Sequence, residues 1–231
     1  MATGNTKRKF EKLPRYTFPR GVFVYPSLHE ARDNFNKDGK EYSTGLRLSA
    51  QDGQAVRAHF APILAEAIAA GRATYDALPL QTRKKIKFQP NEEIGVDVVD
   101  EATEKETGEV LFKFKRKSEG VSKDTGKPWS ITLPVFDGKG VPMKGVPVWG
   151  GSEGRLTVEY APYFVPGTGA AGLRFVLVAA QVLKLVGKGE RSADEFGFGV
   201  EEDGYEYEPS EDVVEETEAA GEEGTTEGSD F

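Results

Sequence analysis

The sequence predicts a mainly β protein, a small barrel or sandwich with one inserted helix, followed by a separate acidic segment. From residue 79 to 186, short alternating apolar and polar stretches recur between turns rich in glycine, proline and lysine, which is typical of all-β domains. Apolar residues spaced three and four apart predict a helix over about 52–76, with Asp52 as its cap. Residues 190–231 contain 17 Asp and Glu but one basic residue, Arg191. This composition is typical of a disordered tail.

The elements follow one another in a clear order. Residues 1–15 are polar and basic and predict a flexible arm, either without a role or in contact with DNA. Aromatic and basic residues interleave over 16–25, where one or two side chains are expected to face a ligand. A turn at 36–39 precedes a strand at 42–48. After the helix, alternation predicts strands at 94–99, 110–117 and 155–160, and the apolar run 173–186 predicts a central strand.

The charge of the chain is divided between two opposite regions. The whole protein has 30 basic and 38 acidic residues, a net charge of −8. Removing the 17 acidic residues and one basic residue of 190–231 leaves 29 basic and 21 acidic residues in 1–189, a net charge of +8. A basic domain joined to an acidic tail indicates a polyanion binder that carries its own polyanion mimic.

Several classes of function have no support in the composition. The chain has no Cys, so disulfides, thiolate metal sites and Cys nucleophiles are excluded. The two histidines, His29 and His59, lack ligand spacing, and the glycine clusters follow no nucleotide-binding pattern. The longest apolar run is shorter than the ~20 residues of a membrane span. We therefore expect a soluble intracellular protein with no enzymatic activity, cofactor, metal or membrane partner.

Basic side chains form the first candidate binding surface. Alternation along 110–117 places Phe112 and Phe114 on one face and Lys113, Lys115 and Lys117 on the other, a pattern that also fits an ordinary solvated strand. A file of lysines about 7 Å apart matches the spacing of phosphates in an extended single strand of nucleic acid. It would bind these phosphates by releasing their condensed counterions. Lys123 and Lys127 lie in the following loop, and Arg155 and Arg174 lie on later strands.

Aromatic side chains beside these basic groups form the second candidate. Trp129 follows the basic loop, and Tyr163 and Phe164 lie between two prolines. Exposed rings stack on any base, which binds single strands without sequence preference. The alternative is that these rings fill the ends of the barrel, and Tyr160 is expected to lie nearer the core.

The order of several motifs resembles a known family. The motifs are Phe112-Lys-Phe-Lys115, Val146-Pro-Val-Trp-Gly-Gly-Ser152, Arg155-Leu-Thr-Val-Glu-Tyr-Ala-Pro-Tyr163, Gly169-Ala-Ala-Gly-Leu-Arg-Phe175, Val182-Leu-Lys-Leu185 and the acidic segment with Asp230-Phe231. Together they resemble the replicative single-stranded DNA-binding proteins of short-tailed T-odd-type phages. This resemblance implies an OB-fold-like five-stranded barrel over 16–189, with extra strands and one inserted helix, and a disordered acidic tail over 190–231.

The resemblance also implies site residues and partners. Tyr163 or Phe164 corresponds to a DNA-contacting tyrosine, Arg174 to a basic strand residue, and Phe18, Arg20 and Tyr42 to early aromatic and arginine contacts. In the family the acidic tail shields the DNA groove, and its terminal aromatic residue, here Phe231 after Asp230, helps dock the replicative DNA polymerase and the helicase-primase. Annealing of complementary strands and homodimer formation are further family properties.

These observations predict a protein that coats single-stranded DNA in phage replication, recombination and repair, in the cytoplasm of the infected bacterial host. One alternative is a β-sandwich interaction module, or a virion or scaffold component, with a solubilising tail. A nuclease or nucleotide hydrolase is a third class, which requires a carboxylate–metal cluster.

Overall fold

The computed structural model describes residues 12–33, 39–100, 102–122 and 124–187. Within them, eleven strands and two helices follow in this order: β1 (Arg15–Thr17), β2 (Gly21–Asp33), β3 (Lys40–Leu48), α1 (Ala50–Asp76), α2 (Leu80–Arg83), β4 (Gln89–Pro90), β5 (Val96–Val99), β6 (Glu106–Lys117), β7 (Glu119–Val121), β8 (Pro128–Ser130), β9 (Val135–Phe136), β10 (Glu153–Val165) and β11 (Ala170–Lys184).

The five longest strands close into a barrel. β2, β3 and β6 form an antiparallel meander, β6 runs parallel to β11, and β11 pairs antiparallel with β10. The ring closes where β10 pairs with β2, with Gly154 opposite Gly21. This connectivity is that of the OB-fold, which confirms the predicted fold class. A closed ring is not the pair of packed sheets that the sandwich alternative requires.

Strand alternation places one apolar face inside the barrel. On β6, Val110, Phe112 and Phe114 are buried, whereas the lysines at 113, 115 and 117 are exposed. Aromatic rings from β1, the segment after it, α1 and β11 extend this core, with Phe18 and Phe114 centroids 4.8 Å apart. Burial of each side chain of this size stabilises the fold by about 1.5–3 kcal/mol. The alternation of apolar and polar residues along the strands is what places these side chains inside the barrel.

The predicted helix corresponds to α1, although its cap differs from the prediction. Ser49, rather than Asp52, is the N-cap, and its hydroxyl oxygen accepts a hydrogen bond from the backbone N–H of Asp52. The buried residues of α1 recur at helical spacing and face the barrel: Gly53, Val56, Phe60, Leu64, Ala67 and Gly71. Two of them are glycines that allow close approach, since a Cβ at Gly71 would lie 2.5 Å from the Cβ of Ala171. No helix of the described residues is long and apolar enough to cross a membrane.

Candidate nucleic-acid interface

The outer face of β3 and β6 carries the predicted lysine file. Gly45 is opposite Lys113, Ser43 is opposite Lys115, and Glu41 is opposite Lys117. Opposite residues of an antiparallel pair share one face, and all three lysines are exposed. In the OB-fold these two strands are the second and third of the barrel, the pair whose outer face binds oligonucleotides in this fold class.

The file is only partly available for an external anion. Lys115 Nζ lies 2.9 Å from Glu41 Oε1, and a neighbouring pair joins Arg47 Nε to Glu109 Oε2 at 3.7 Å. Within the described part of the chain, neither Lys113 nor Lys117 lies within 4.0 Å of a carboxylate. Lys113 and Lys117 are therefore the file residues best placed to receive phosphates.

Arg174 and Tyr163 lie on the outer face of the neighbouring strand pair. Ala161 of β10 is opposite Arg174 of β11, and Tyr163 is opposite Gly172, so both side chains face the same side. Tyr163 is half-buried because its ring lies against Gly172, where a Cβ would be 3.3 Å from Tyr163 Cε1 and 3.2 Å from the Asn91 Cβ. Arg174 is exposed. The sequence predicted both residues as part of the surface.

A cavity of about 310 Å³ lies between β6 and β11. Within the described residues these two strands meet at one bridge, Lys115 with Val176. From the outer face the cavity is lined by Leu111 and Lys113 of β6, and from the inside by the core residues Phe112, Phe114, Leu173 and Phe175. Asn91 also lines it and lies against Gly172 of β11, the residue opposite Tyr163.

The hairpin of β7 and β8 extends from the end of β6 that carries Lys117. Trp129 of β8 is opposite Gly120 of β7, and its indole lies over this glycine, where a Cβ would be 2.8 Å from Trp129 Cζ2. The side chain is still 37% exposed, so one ring face is open for stacking. Lys127 is exposed in the same hairpin, whereas Lys123 lies outside the described residues.

Two predicted DNA contacts, Phe18 and Tyr42, are wrong because their side chains face inward. Phe18 is 1% exposed and Tyr42 is 6% exposed, and both belong to the hydrophobic core. Phe164 follows Tyr163 on β10, so its side chain lies on the opposite face of the strand, toward α1. Its Cδ2 is 3.9 Å from where a Cβ of Gly71 would lie. Of the two adjacent aromatic residues, Tyr163 alone shares the outer face with Arg174.

Arg20 and Arg155 are exposed but lie at the other end of the barrel. Arg20 forms an ion pair with Glu153, with Nη2 and Oε2 2.7 Å apart. Arg155 is opposite Gln181, six residues along β10 from Ala161, which corresponds to about 20 Å. The structure therefore does not bring these two arginines together with the lysine file and Arg174.

Tyr25 is a surface residue within the stretch 16–25, although the sequence did not single it out as a DNA contact. It is 87% exposed, and its φ of 47° lies in the left-handed region. Val24 pairs with Gly45 and Ser27 pairs with Ser43. Two residues of β2 therefore lie opposite one residue of β3, and the register shifts by one residue. The extra residue is a β-bulge. The dipeptide Tyr25-Pro26 inside an alternating strand is the one sequence signal that marks it.

Among the described residues, two ionisable groups have shifted pKa values. Burial raises the pKa of Tyr16, and the Asp52 carboxylate adds to this effect. Hydrogen bonds from the backbone and side chain of Thr103 lower the pKa of Asp100. Tyr16 belongs to the core-facing ring cluster and Asp100 to the turn after β5.

The described residues contain no group of three or more His, Asp or Glu arranged to hold a metal ion. Asp230 and Phe231 lie outside the described residues.

Fold and surface together define an OB-fold barrel with a basic outer face. No protein-family model matches the chain. It is 29% identical over 191 residues to the single-stranded DNA-binding protein of Enterobacteria phage T3, covering 81% of this chain and 80% of that protein. The crystal structure of gp2.5, a single-stranded DNA-binding protein encoded by bacteriophage T7, superposes with a TM-score of 0.59 and 23% identity, covering 85% of this chain and all of that one. The resemblance to the single-stranded DNA-binding proteins of T-odd-type phages is thereby confirmed.

Proposed function

We propose that this protein coats single-stranded DNA without sequence preference and has no catalytic activity. The observation that carries the proposal is the exposed file Lys113, Lys115 and Lys117 on the third strand of an OB-fold barrel, with Arg174 and Tyr163 on the outer face of the neighbouring strand pair. The similarity to the phage T3 protein supports the same function.

The surface would bind the two parts of a nucleotide separately. Lysines on alternate residues of one strand lie about 7 Å apart and would contact successive phosphates, releasing condensed counterions. Tyr163 and the open face of Trp129 would stack on bases, and each stacked base contributes about 1–3 kcal/mol. Because neither contact distinguishes one base from another, the protein would cover any sequence.

Residues 190–231 would regulate this surface and recruit partners. Their net charge of −16 opposes the +8 of residues 1–189, so the segment would compete with DNA at an effective concentration on the order of millimolar. Within it, Asp230 and Phe231 would contribute to docking the replicative DNA polymerase and the helicase-primase. We also propose that the protein anneals complementary strands and forms homodimers. It would act in replication, recombination and repair in the cytoplasm of the infected host.

Oligonucleotide binding over a salt titration tests the function. The full chain should bind a labelled dT oligonucleotide, with a logarithmic affinity that falls linearly with the logarithm of salt concentration. The double variant Lys113→Gln/Lys117→Gln should bind more weakly, and its slope should decrease by roughly 0.7 per lysine. A matched control, Lys84→Gln/Lys85→Gln, removes two exposed lysines beside α2 and should leave the slope unchanged.

The same titration separates the proposal from its alternatives. Absence of dT binding at low salt would reject the proposed function and favour a protein-interaction module. Equal slopes for both double variants would show that β6 does not hold the phosphates. Magnesium-dependent shortening of the oligonucleotide would indicate a nuclease instead.

A further inference from the structure

Tyr25 is more exposed than any other large apolar side chain of the described residues. Tyr25 is not exposed because its part of β2 extends past the barrel, since Phe23 and Leu28 on either side of it are fully buried. Pro26 and Ser27, which follow it directly, are buried as well. The ring therefore projects outward from a well-packed segment.

The backbone at Tyr25 adopts an unfavourable conformation to present this ring. A φ of 47° is uncommon for a residue with a Cβ and is unusual for an aromatic residue. The following proline adds a second conflict, because a residue before proline prefers extended conformations. Residues held in such conformations by their surroundings cluster at binding sites. Asn or Gly would fit this conformation better.

The surroundings of Tyr25 match a stacked base beside a phosphate. Val24 is opposite Gly45, and Gly45 is opposite Lys113, so β2, β3 and β6 form one row on the outer face. Gly45 adds no side chain to this row, and the side chains of Leu111 and Val24 pack over it, since a Cβ there would lie 2.9 Å from Leu111 Cδ1 and 3.1 Å from the Val24 Cβ. Apolar side chains thus lie between β2 and Lys113, with β2 and β6 about 10 Å apart.

We propose that Tyr25 stacks on a base of the single strand whose phosphates the lysine file holds, and that the bulge in β2 orients its ring for this contact. The inference rests on the proposed function and adds a contact that lies across β3 from Lys113. It places the bound strand across β2, β3 and β6, rather than along β6 alone.

The test compares ring-removing and ring-preserving variants on two ligands. Tyr25→Asn removes the ring and suits the left-handed backbone, Tyr25→Phe keeps the ring, and Leu80→Asn removes an exposed apolar side chain from α2. The full chain and each variant are titrated with a dT oligonucleotide and with an abasic oligonucleotide of the same length. Melting temperatures are measured in parallel, and Tyr25→Gly is a second ring-removing variant.

Stacking predicts a specific pattern across these measurements. Tyr25→Asn should bind dT about fivefold or more weakly, with an unchanged salt slope, an unchanged affinity for the abasic strand and no decrease in melting temperature. Tyr25→Phe and Leu80→Asn should bind like the unaltered protein. If Tyr25→Asn and Tyr25→Gly both bound dT as tightly as the unaltered protein, or if they lost as much affinity on the abasic strand as on dT, the inference would be overturned while the proposed function stayed intact. Absence of dT binding by the unaltered protein would overturn both.

Discussion

At the scale of single residues, the basic face carries an acidic side chain, Glu41, that would compete with a bound phosphate. Glu41 lies opposite Lys117 in the sheet and 2.9 Å from Lys115 Nζ. A phosphate that binds Lys115 has to displace this carboxylate or share the ammonium group with it. Because the lysine is largely exposed, the pair itself is worth about 0–1 kcal/mol. A carboxylate beside Lys115 would therefore lower the affinity of this face for a phosphate.

Glu41→Gln should tighten binding to single-stranded DNA roughly two- to fivefold at low salt. The substitution removes a negative charge from the proposed phosphate path and makes Lys115 available. The measurement is dT affinity across a salt series, where the slope should steepen as one more phosphate is neutralised. Glu106→Gln at the start of β6, seven residues from Lys113, is the control and should change neither quantity. Unchanged affinity in Glu41→Gln would place the DNA away from Lys115.

At the scale of elements, the barrel closes where two glycines meet. Gly154 of β10 is opposite Gly21 of β2. A Cβ at Gly154 would overlap the carbonyl oxygen of Gln181 and lie 2.5 Å from Phe23 Cζ, and one at Gly21 would lie 2.5 Å from the carbonyl oxygen of Arg47. Backbone atoms cannot move aside as a flexible side chain does. The closing pair thus needs glycine for close approach rather than for an unusual φ.

Gly154→Ala should destabilise the barrel by about 1–3 kcal/mol, the usual cost of overpacking. Chemical denaturation followed by tryptophan fluorescence measures this free energy of unfolding. Gly167→Ala is the matched control, since a Cβ there meets no atom within 4 Å and its φ is not in the left-handed region. It should change the free energy of unfolding by less than ~0.5 kcal/mol. Equal stability of both variants would contradict the tight closure.

At the scale of the whole molecule, charge separates a basic barrel-forming region from an acidic segment. The opposite charges, +8 for 1–189 and −16 for 190–231, are the basis for the proposed competition between the segment and DNA. A segment on the same chain needs little intrinsic affinity to compete, because its effective concentration is high. Salt weakens both interactions, so the balance between them depends on ionic strength.

Removal of residues 190–231 should therefore tighten DNA binding, because it removes the proposed salt-dependent competition between this segment and DNA. A chain that ends at Gly189 and the full chain are titrated with the same dT oligonucleotide across a salt series. The difference in affinity should be largest at low salt, where the acidic segment competes best. Equal affinities at every salt concentration would contradict autoinhibition while leaving DNA binding intact.

The sequence by itself determined the long helix, several of the strands and the distribution of charge. The period of 3.6 over 52–76 predicted α1, and the period of two over 110–117 placed Phe112 inside and Lys113 outside. These patterns are local, because helix and strand periodicity follow from backbone geometry over a few residues. The mainly β class and the basic face of β6 could be predicted for the same reason.

Only the tertiary structure decided which aromatic residues face outward and which basic residues lie together. Tyr25 and Phe18 belong to one aromatic and basic stretch, yet Tyr25 is 87% exposed and Phe18 is 1% exposed. A bulge against β3 turns Tyr25 outward, and the register of β10 against β11 separates Arg155 from Arg174. The physical reason is that register and bulges arise from pairing between distant segments, and a shift of one residue reverses the face of every following side chain.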